Sequence, residues 1–551
     1  MPLLKNKSAE QVSLLRRYPR AVVHLRDQFA SKRLGLIFGA GLSASFGFPE
    51  WSQLVASIAS DPKVKGKKLQ KDYARFGLPY QTEMLFQHFR HGERHKIRQE
   101  EIDRKFDFDV HAKWRKILWT HLYKNVKKIT RQSVKGHPYL ESFLSIIRHI
   151  PVTVTYNFDD VLEQALHETR TSELVGSSRG YLAVTNGALQ LRGRGPVPVI
   201  YHPNGFIPRA SLMETPSDRL IFSEHSYADH LVDLLSGDRS RLVTYLTDHT
   251  CLCVGVSLQD QGVRNLLRQC AKSNPGNYHY LIDYVPPRSK VSAARRDAAV
   301  QTNFRVYNLV TLFLKAHEIA ALASLVSMKE EDFCDLAESN GVETKYCFYL
   351  TGALGVGKST AIASLGSLNT FDEWLEPRLP VLAKLWSTLT PAEETKADQW
   401  IVRQFKLKND NVRKKKSGLF VLDRGPLDPL AFTPMKKWSE KASSLLSTIC
   451  PDASSWEVER GCVVLLRGDH EEMSLRLRLT SRTDYTAEKL RLMQEALQKA
   501  YGGDGVVHLD ATGLSPAVAV NKIAELIYLE KYKPMDLHAR LKHIQRKGRV
   551  P

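Results

Sequence analysis

The chain has 551 residues, with 79 Lys and Arg against 59 Asp and Glu, hence a formal charge of +20 and a pI near 9.5. At roughly 100–200 residues per domain this length excludes a single small domain, and 43% hydrophobic with 25% charged residues excludes a generally disordered chain. No run of about eighteen uncharged apolar residues occurs, and residues 1–20 carry Lys5, Lys7 and Arg16 instead of a signal-peptide stretch. The expectation is therefore a soluble, cytoplasmic protein with no membrane partner.

In chain order, the apolar run 34–38 reads as a buried strand that enters Gly39-Ala40-Gly41-Leu42-Ser43 and then a helical pattern. A strand, glycine turn and helix in that order open many α/β nucleotide-binding sheets, because glycine lets backbone N–H groups approach a phosphate. Five lysines follow at 63, 65, 67, 68 and 71. They form an anion patch or a solvated face; with no stacking aromatics interleaved, nucleic acid is not the expected partner. Further strands are predicted at 152–156, 197–201, 220–222, 251–256 and 278–282, with helical material between. Seven scattered cysteines without a C-x-x-C pair argue against a disulfide scaffold and a four-cysteine zinc site. The acidic, polar stretch 328–345 ends in the turn signal Asn340-Gly341. The predicted division is a domain at 1–328, a linker at 329–345, a second α/β domain at 346–530 and a basic C-terminal tail, helical or loose, at 531–551.

The second domain opens with a strand at 346–350, followed by Gly352-Ala353-Leu354-Gly355-Val356-Gly357-Lys358-Ser359-Thr360. This fits G-x-x-x-x-G-K-S between a strand and a helix, the phosphate-binding loop pattern. Backbone N–H groups would cradle a triphosphate, Lys358 would reach the β- and γ-phosphates, and Ser359 would hold Mg2+. Strands at 418–422, 461–466 and 506–509 continue the sheet. The first of these ends in Asp423-Arg424, and Arg476, Arg478 and Arg482 follow the second.

The succession Gly39-Ala40-Gly41-x-Ser43, Thr155-Tyr156-Asn157-Phe158-Asp159, Tyr201-His202-Pro203-Asn204-Gly205, Phe222-Ser223-Glu224 with Tyr227, and Gly255-Val256-Ser257-Leu258-Gln259-Asp260 resembles the sirtuin-like family over residues 15–320, particularly its bacterial antiphage branch. The resemblance implies a Rossmann-like fold with NAD+ held by the glycine turn and by the Gly255, Ser257 and Asp260 segment. Asn157 would orient the ribose or a water, and Asp159 would hold the loop or a ribose hydroxyl. His202 stands two residues before the family's histidine position, which is Asn204 here, and is either the base or a structural residue. Without zinc ligands, the resemblance favours hydrolysis of NAD+ to nicotinamide and ADP-ribose over deacylation.

Residues 345–530 resemble the deoxynucleoside and thymidylate kinases. This implies ATP and Mg2+, with Asp423 contacting the metal or taking the acceptor proton, Arg424 on an acceptor phosphate, and a lid of Arg476, Arg478 and Arg482 that could equally be a solvated helix face. Glu373, Glu376, Gln404 and Phe405 are acceptor-site or packing residues. Together the resemblances imply an antiphage NADase governed by a nucleotide or deoxynucleotide ligand, with a phage-derived trigger and homo-oligomeric assembly. The alternatives are a metabolic nucleotide kinase with a regulatory NAD-binding domain, and a nucleic-acid-associated NTPase supported only by the +20 charge.

Overall fold

The computed structural model describes the chain except residues 1, 95–103, 170–180, 186–197, 210–219, 227, 229–239, 290–291, 385–387, 452–456, 481–484, 504 and 548–551. It is an α/β protein with two parallel sheets in two compact units, one at residues 28–273 and 278–327, the other at 1–27, 274–277 and 328–551. Among the described residues no helix is long and apolar enough to cross a membrane.

The first unit is Rossmann-like. Its strands are β1 (Leu34–Phe38), β2 (Val152–Thr155), β3 (Leu182–Thr185), β4 (Val199–His202), β5 (Thr250–Val254), β6 (His279–Tyr284) and β7 (Leu309–Leu314). They pair in the order β3-β4-β2-β1-β5-β6-β7, all parallel. β1, β2, β4, β5 and β7 are buried along their whole length, so they read as continuous apolar runs rather than alternating ones. With β2 on one side of β1 and β5 on the other, chain progression reverses at β1, and the crevice beyond the carboxyl ends of β1 and β5 is the topological switch point.

Four elements differ from expectation, the first being β3, which no predicted strand covers. Residues 220–222 are not a strand, although Ile221 N–H donates to Asn204 O at 2.8 Å. β7 was absent from the predicted set because its run follows a helix with no Gly or Pro between them; Asn308, at φ 51°, ends helix Ala293–Tyr307 in their place. After β1 the chain forms only a 3-10 turn, Ala44–Phe46, before helix Trp51–Ala59.

The second unit, which carries the P-loop pattern at 352–359, is a five-stranded parallel sheet. Its strands are β8 (Lys345–Gly352), β9 (Asn369–Phe371), β10 (Gly418–Asp423), β11 (Cys462–Arg467) and β12 (Val506–Asp510), in the order β12-β11-β8-β10-β9. Helix Pro19–Ala30 reaches this unit. Arg20 donates to the carbonyls of Leu526, Ile527 and Glu530, His24 Nε2 to Ser367 O at 3.0 Å, and Arg26 pairs with Glu330 at 3.0 Å. The stretch 329–345 carries helix Glu330–Glu338, fixed by buried Phe333 and Ala337. At the far end, helix Leu537–Lys547 lays buried Leu537, Leu541 and Ile544 against helix Trp438–Ile449, so the basic tail is a packed amphipathic helix.

Candidate functional site

At the switch point, loop 39–43 and the turn at Gly255 lie against each other. Gly39 N–H donates to Val254 O at 3.0 Å and Gly41 N–H to Gly255 O at 3.2 Å. A Cβ on Gly39 would stand 2.4 Å from Gly255 O, and one on Gly41 would stand 2.9 Å from Gly255 Cα. These glycines are thus required by loop-on-loop packing. The N–H groups of Leu42, Ser43 and Ala44 bond back to Gly39 and Ala40 carbonyls, so the turn is closed on itself rather than an open helix N-terminus.

Into this turn β2 delivers Asn157 and Asp159. Asn157 Nδ2 donates to Gly39 O at 3.1 Å and to Ser43 Oγ at 3.0 Å. Ser43 Oγ donates in turn to Asp159 Oδ1 at 3.0 Å, which also accepts Val161 N–H at 3.1 Å. With Nδ2 committed, Asn157 Oδ1 accepts nothing among the described residues. Burial pushes the Asp159 carboxyl up to about 7, over the opposing pull of the Ser43 hydroxyl.

His202 lies behind this group, wholly buried. Its Nδ1–H donates to Asn157 O at 3.1 Å, and Nε2 faces Glu163 Oε1 at 2.7 Å. Both ring nitrogens face acceptors, so the pair must hold a proton between them. Burial alone would lower the imidazole pKa, but the Glu163 carboxylate raises it above the ordinary value. Burial likewise raises that of Glu163. His202 therefore props the backbone of Asn157, which fits its structural reading. Asp260 Oδ1 accepts the N–H groups of Gly262 and Val263 at 2.8 and 3.2 Å and caps helix Gln261–Ser273, while Ser257 Oγ accepts Gln259 N–H at 3.1 Å.

In the other unit, Gly357, at φ 100°, turns the loop into helix Lys358–Ser364. Lys358 Nζ donates to Gly352 O and Ala353 O at 2.8 and 3.0 Å, and its burial lowers its pKa to about 8. Ser359 Oγ donates to Asp423 Oδ2 at 3.1 Å, while among the described residues the buried Asp423 Oδ1 has no partner. Burial raises the pKa of Asp423, with Lys358 and Arg424 opposing. A hydroxyl and an unsatisfied carboxylate oxygen side by side are the hard-oxygen donors that fit Mg2+. Arg424 holds a left-handed backbone at φ 67°, a strained conformation for an arginine. Its guanidinium reaches Glu373 at 2.7 Å and Asp428 at 3.4 Å.

Gln404 is fully buried and spans the loop at 375–376 by bonds to Leu375 N–H, Glu376 N–H and the Glu376 carboxylate. It therefore packs that loop. Exposed Arg476 and Arg478 lie on helix His470–Leu479, whose Leu477 approaches Gly355; Arg476 pairs with Glu472. Thr360 is exposed beside Ser359. Arg482 and Tyr227 lie outside the described residues. Among the described residues no group of three or more His, Cys, Asp or Glu is placed to hold a metal.

The SIR2-like domain family matches residues 151–307, a segment that begins at β2 and contains Asn157, Asp159, His202 and Gly255. The chain contains a SIR2-like domain. The Gly39 turn lies outside the matched segment but inside the same sheet, through the pairing of β1 with β2 and β5. No curated protein matches the chain. Among solved structures, a deoxyadenosine kinase from M. mycoides, with products dCMP and a flexible dCDP bound, is 15% identical over 32% of this chain and 97% of that one, with a TM-score of 0.25.

Several residues that support the SIR2-like site carry no motif. His137 Nε2–H donates to Leu42 O at 3.3 Å while its Nδ1 accepts from Tyr139 and Leu140 N–H, and Tyr139 OH donates to Gly41 O at 3.3 Å. Burial lowers the His137 pKa to about 4, so it is a neutral brace for the glycine turn. In the other unit Asp428 accepts from Thr351 at 2.6 Å and Tyr501 at 2.7 Å while reaching Arg424. Lys408 Nζ donates to Asp423 O at 2.6 Å.

Proposed function

We propose that the SIR2-like unit hydrolyses NAD+ to nicotinamide and ADP-ribose. The observation that carries this reading is the fixed Asn157 amide, tied by Nδ2 to Gly39 and Ser43 at the switch point and leaving Oδ1 to accept a ribose hydroxyl or a water. Nicotinamide departs as a neutral pyridine from a cationic precursor, so the step needs an oriented water and a stabilised oxocarbenium-like ribose more than a strong acid. Asp159, ionised above pH 7, supplies negative charge beside that centre. Gly39, Ala40 and Gly41 would bound the dinucleotide, and His202 acts through the Asn157 backbone.

The P-loop unit is proposed to bind ATP, with Lys358 moving from its loop carbonyls to the phosphates. Ser359 and Asp423 would hold Mg2+, which when bound neutralises phosphate charge. In this reading a nucleotide or deoxynucleotide bound there, or a product formed there, shifts the NADase between inactive and active populations. NAD+ loss in an infected cell is then the defence output, with a phage-derived trigger and a homo-oligomer completing the picture. The complete Asp423, Arg424 and Glu373 cluster favours one second reading, a metabolic nucleotide kinase with NAD+ as a regulator.

Incubating the protein with NAD+, alone and with ATP, Mg2+ and deoxynucleotides, separates the two. Nicotinamide release that changes with nucleotide and falls by roughly 10²-fold or more in Asn157→Ala, as loss of a preorganised polar group would give, supports the first. ATP consumption with no nicotinamide release under any condition refutes it in favour of the second.

A further inference from the structure

The lysines at 63–71 contain no aromatic residue, but the fold places three rings directly after them. The turn that carries Lys63 and Lys65 is anchored by buried Val64, and Lys65 takes a left-handed backbone at φ 52°. Helix Lys67–Asp72 then exposes Lys67, Lys68 and Lys71. Tyr73, Phe76 and Tyr80 follow as one cluster. The ring centroids are 5.7 Å apart for Tyr73 and Phe76, 4.8 Å for Phe76 and Tyr80, and 6.2 Å for Tyr73 and Tyr80. The Arg75 guanidinium lies 5.0 Å from the Phe76 ring centre, and Phe76 is 36% exposed.

The charge of this surface is strongly positive, six cations against Asp61 and Asp72. Lys63, Lys65, Lys67, Lys68, Lys71 and Arg75 are all exposed, and among the described residues none is in an ion pair. Asp61 is turned inward, accepting Lys63 N–H at 2.8 Å and facing His121 Nε2 at 2.8 Å. Asp72 is the only exposed carboxylate within 61–80.

Six cations alone would suit any polyanion; the rings narrow the choice. A polyanion with flat faces can place phosphates on the lysines and stack its bases on Tyr73, Phe76 and Tyr80. A duplex hides those faces, and an acidic peptide or lipid headgroup lacks them. We propose that the surface formed by residues 63–80 binds single-stranded nucleic acid. This inference stands apart from the NADase reading and does not depend on it.

The test is fluorescence anisotropy of labelled 20-nucleotide single-stranded DNA and RNA, and of the matching duplex, against the full chain over a range of KCl. Binding to either single strand is expected, with the duplex weaker. The triple variant Lys67→Glu, Lys68→Glu, Lys71→Glu should lower affinity and reduce the slope of log K against log salt by about 2, at ~0.7 per phosphate contact. Phe76→Ala should weaken binding roughly 5- to 100-fold by loss of base stacking with little change in that slope, and Phe76→Tyr should retain affinity. No binding at low salt, equal binding of the duplex, indifference to the lysine reversals, or parental affinity in Phe76→Ala would each overturn the proposal. So would binding to phosphatidylserine vesicles in place of the oligonucleotides.

Discussion

Replacing Asp159 by Asn asks whether the buried carboxyl at the switch point is held against its own charge. Its pKa is about 7 in the folded unit against an ordinary 3.8, with burial the main cause. The difference, 7 − 3.8 = 3.2, corresponds at ~1.4 kcal/mol per unit to about 4 kcal/mol. A carboxyl with a raised folded-state pKa binds its proton more tightly when folded. Its contribution is therefore fully present below pH 3.8 and is lost as pH rises through 7. Asparagine keeps an oxygen for the Ser43 hydroxyl and Val161 N–H but cannot ionise. Asp159→Asn should thus match the parent near pH 4 and exceed it at pH 8 by up to about 4 kcal/mol, or roughly 8 °C at ~2 °C per kcal/mol for a large domain. Thermal melts of both proteins from pH 4 to 8.5 measure this, and titration of Glu163 and His202, common to both, largely cancels in the difference. A variant less stable than the parent at pH 8, or a difference that does not vary with pH, would refute the argument.

Gly39→Ala should destabilise the SIR2-like unit by about 3 kcal/mol, the upper end of the usual cost of overpacking, because the added methyl would stand 2.4 Å from Gly255 O. Calorimetry should show that unit's transition moving down while nucleotide binding elsewhere persists. Asp423→Asn should weaken ATP-analogue binding in Mg2+ by roughly 10- to 100-fold, the worth of a charged contact, and leave binding in EDTA nearly unchanged. Equal losses in both buffers would separate Asp423 from the metal.

The turn at 352–359 was readable because its pattern is local: eight consecutive residues set the glycine turn, the lysine and the hydroxyl. The cluster beyond β1 is non-local, since Ser43 meets Asp159 across 116 positions, yet the order of short motifs had singled out Ser43, Asn157 and Asp159, which the fold brings together. His137 and Tyr139 escaped notice because they act through backbone carbonyls, which impose no spacing on the sequence. Asp260 sat inside a resembling motif but caps a helix, a task any short polar side chain can do. The composition of the C-terminal tail left a basic helix and a loose end both open; Leu537, Leu541 and Ile544 at helical spacing seat it as a helix in a core.

Because helix Pro19–Ala30 binds partners at Ser367 and at 526–530, a segment made before the SIR2-like sheet belongs to a unit made after it. At about 5–20 residues per second, the stretch 28–327 alone takes on the order of 15–60 s to synthesise. Throughout that time Leu14, Leu15, Val22 and Val23, all buried in the finished protein, belong to a unit whose sheet has not yet been made. The SIR2-like sheet is therefore complete on the ribosome long before the P-loop unit can close.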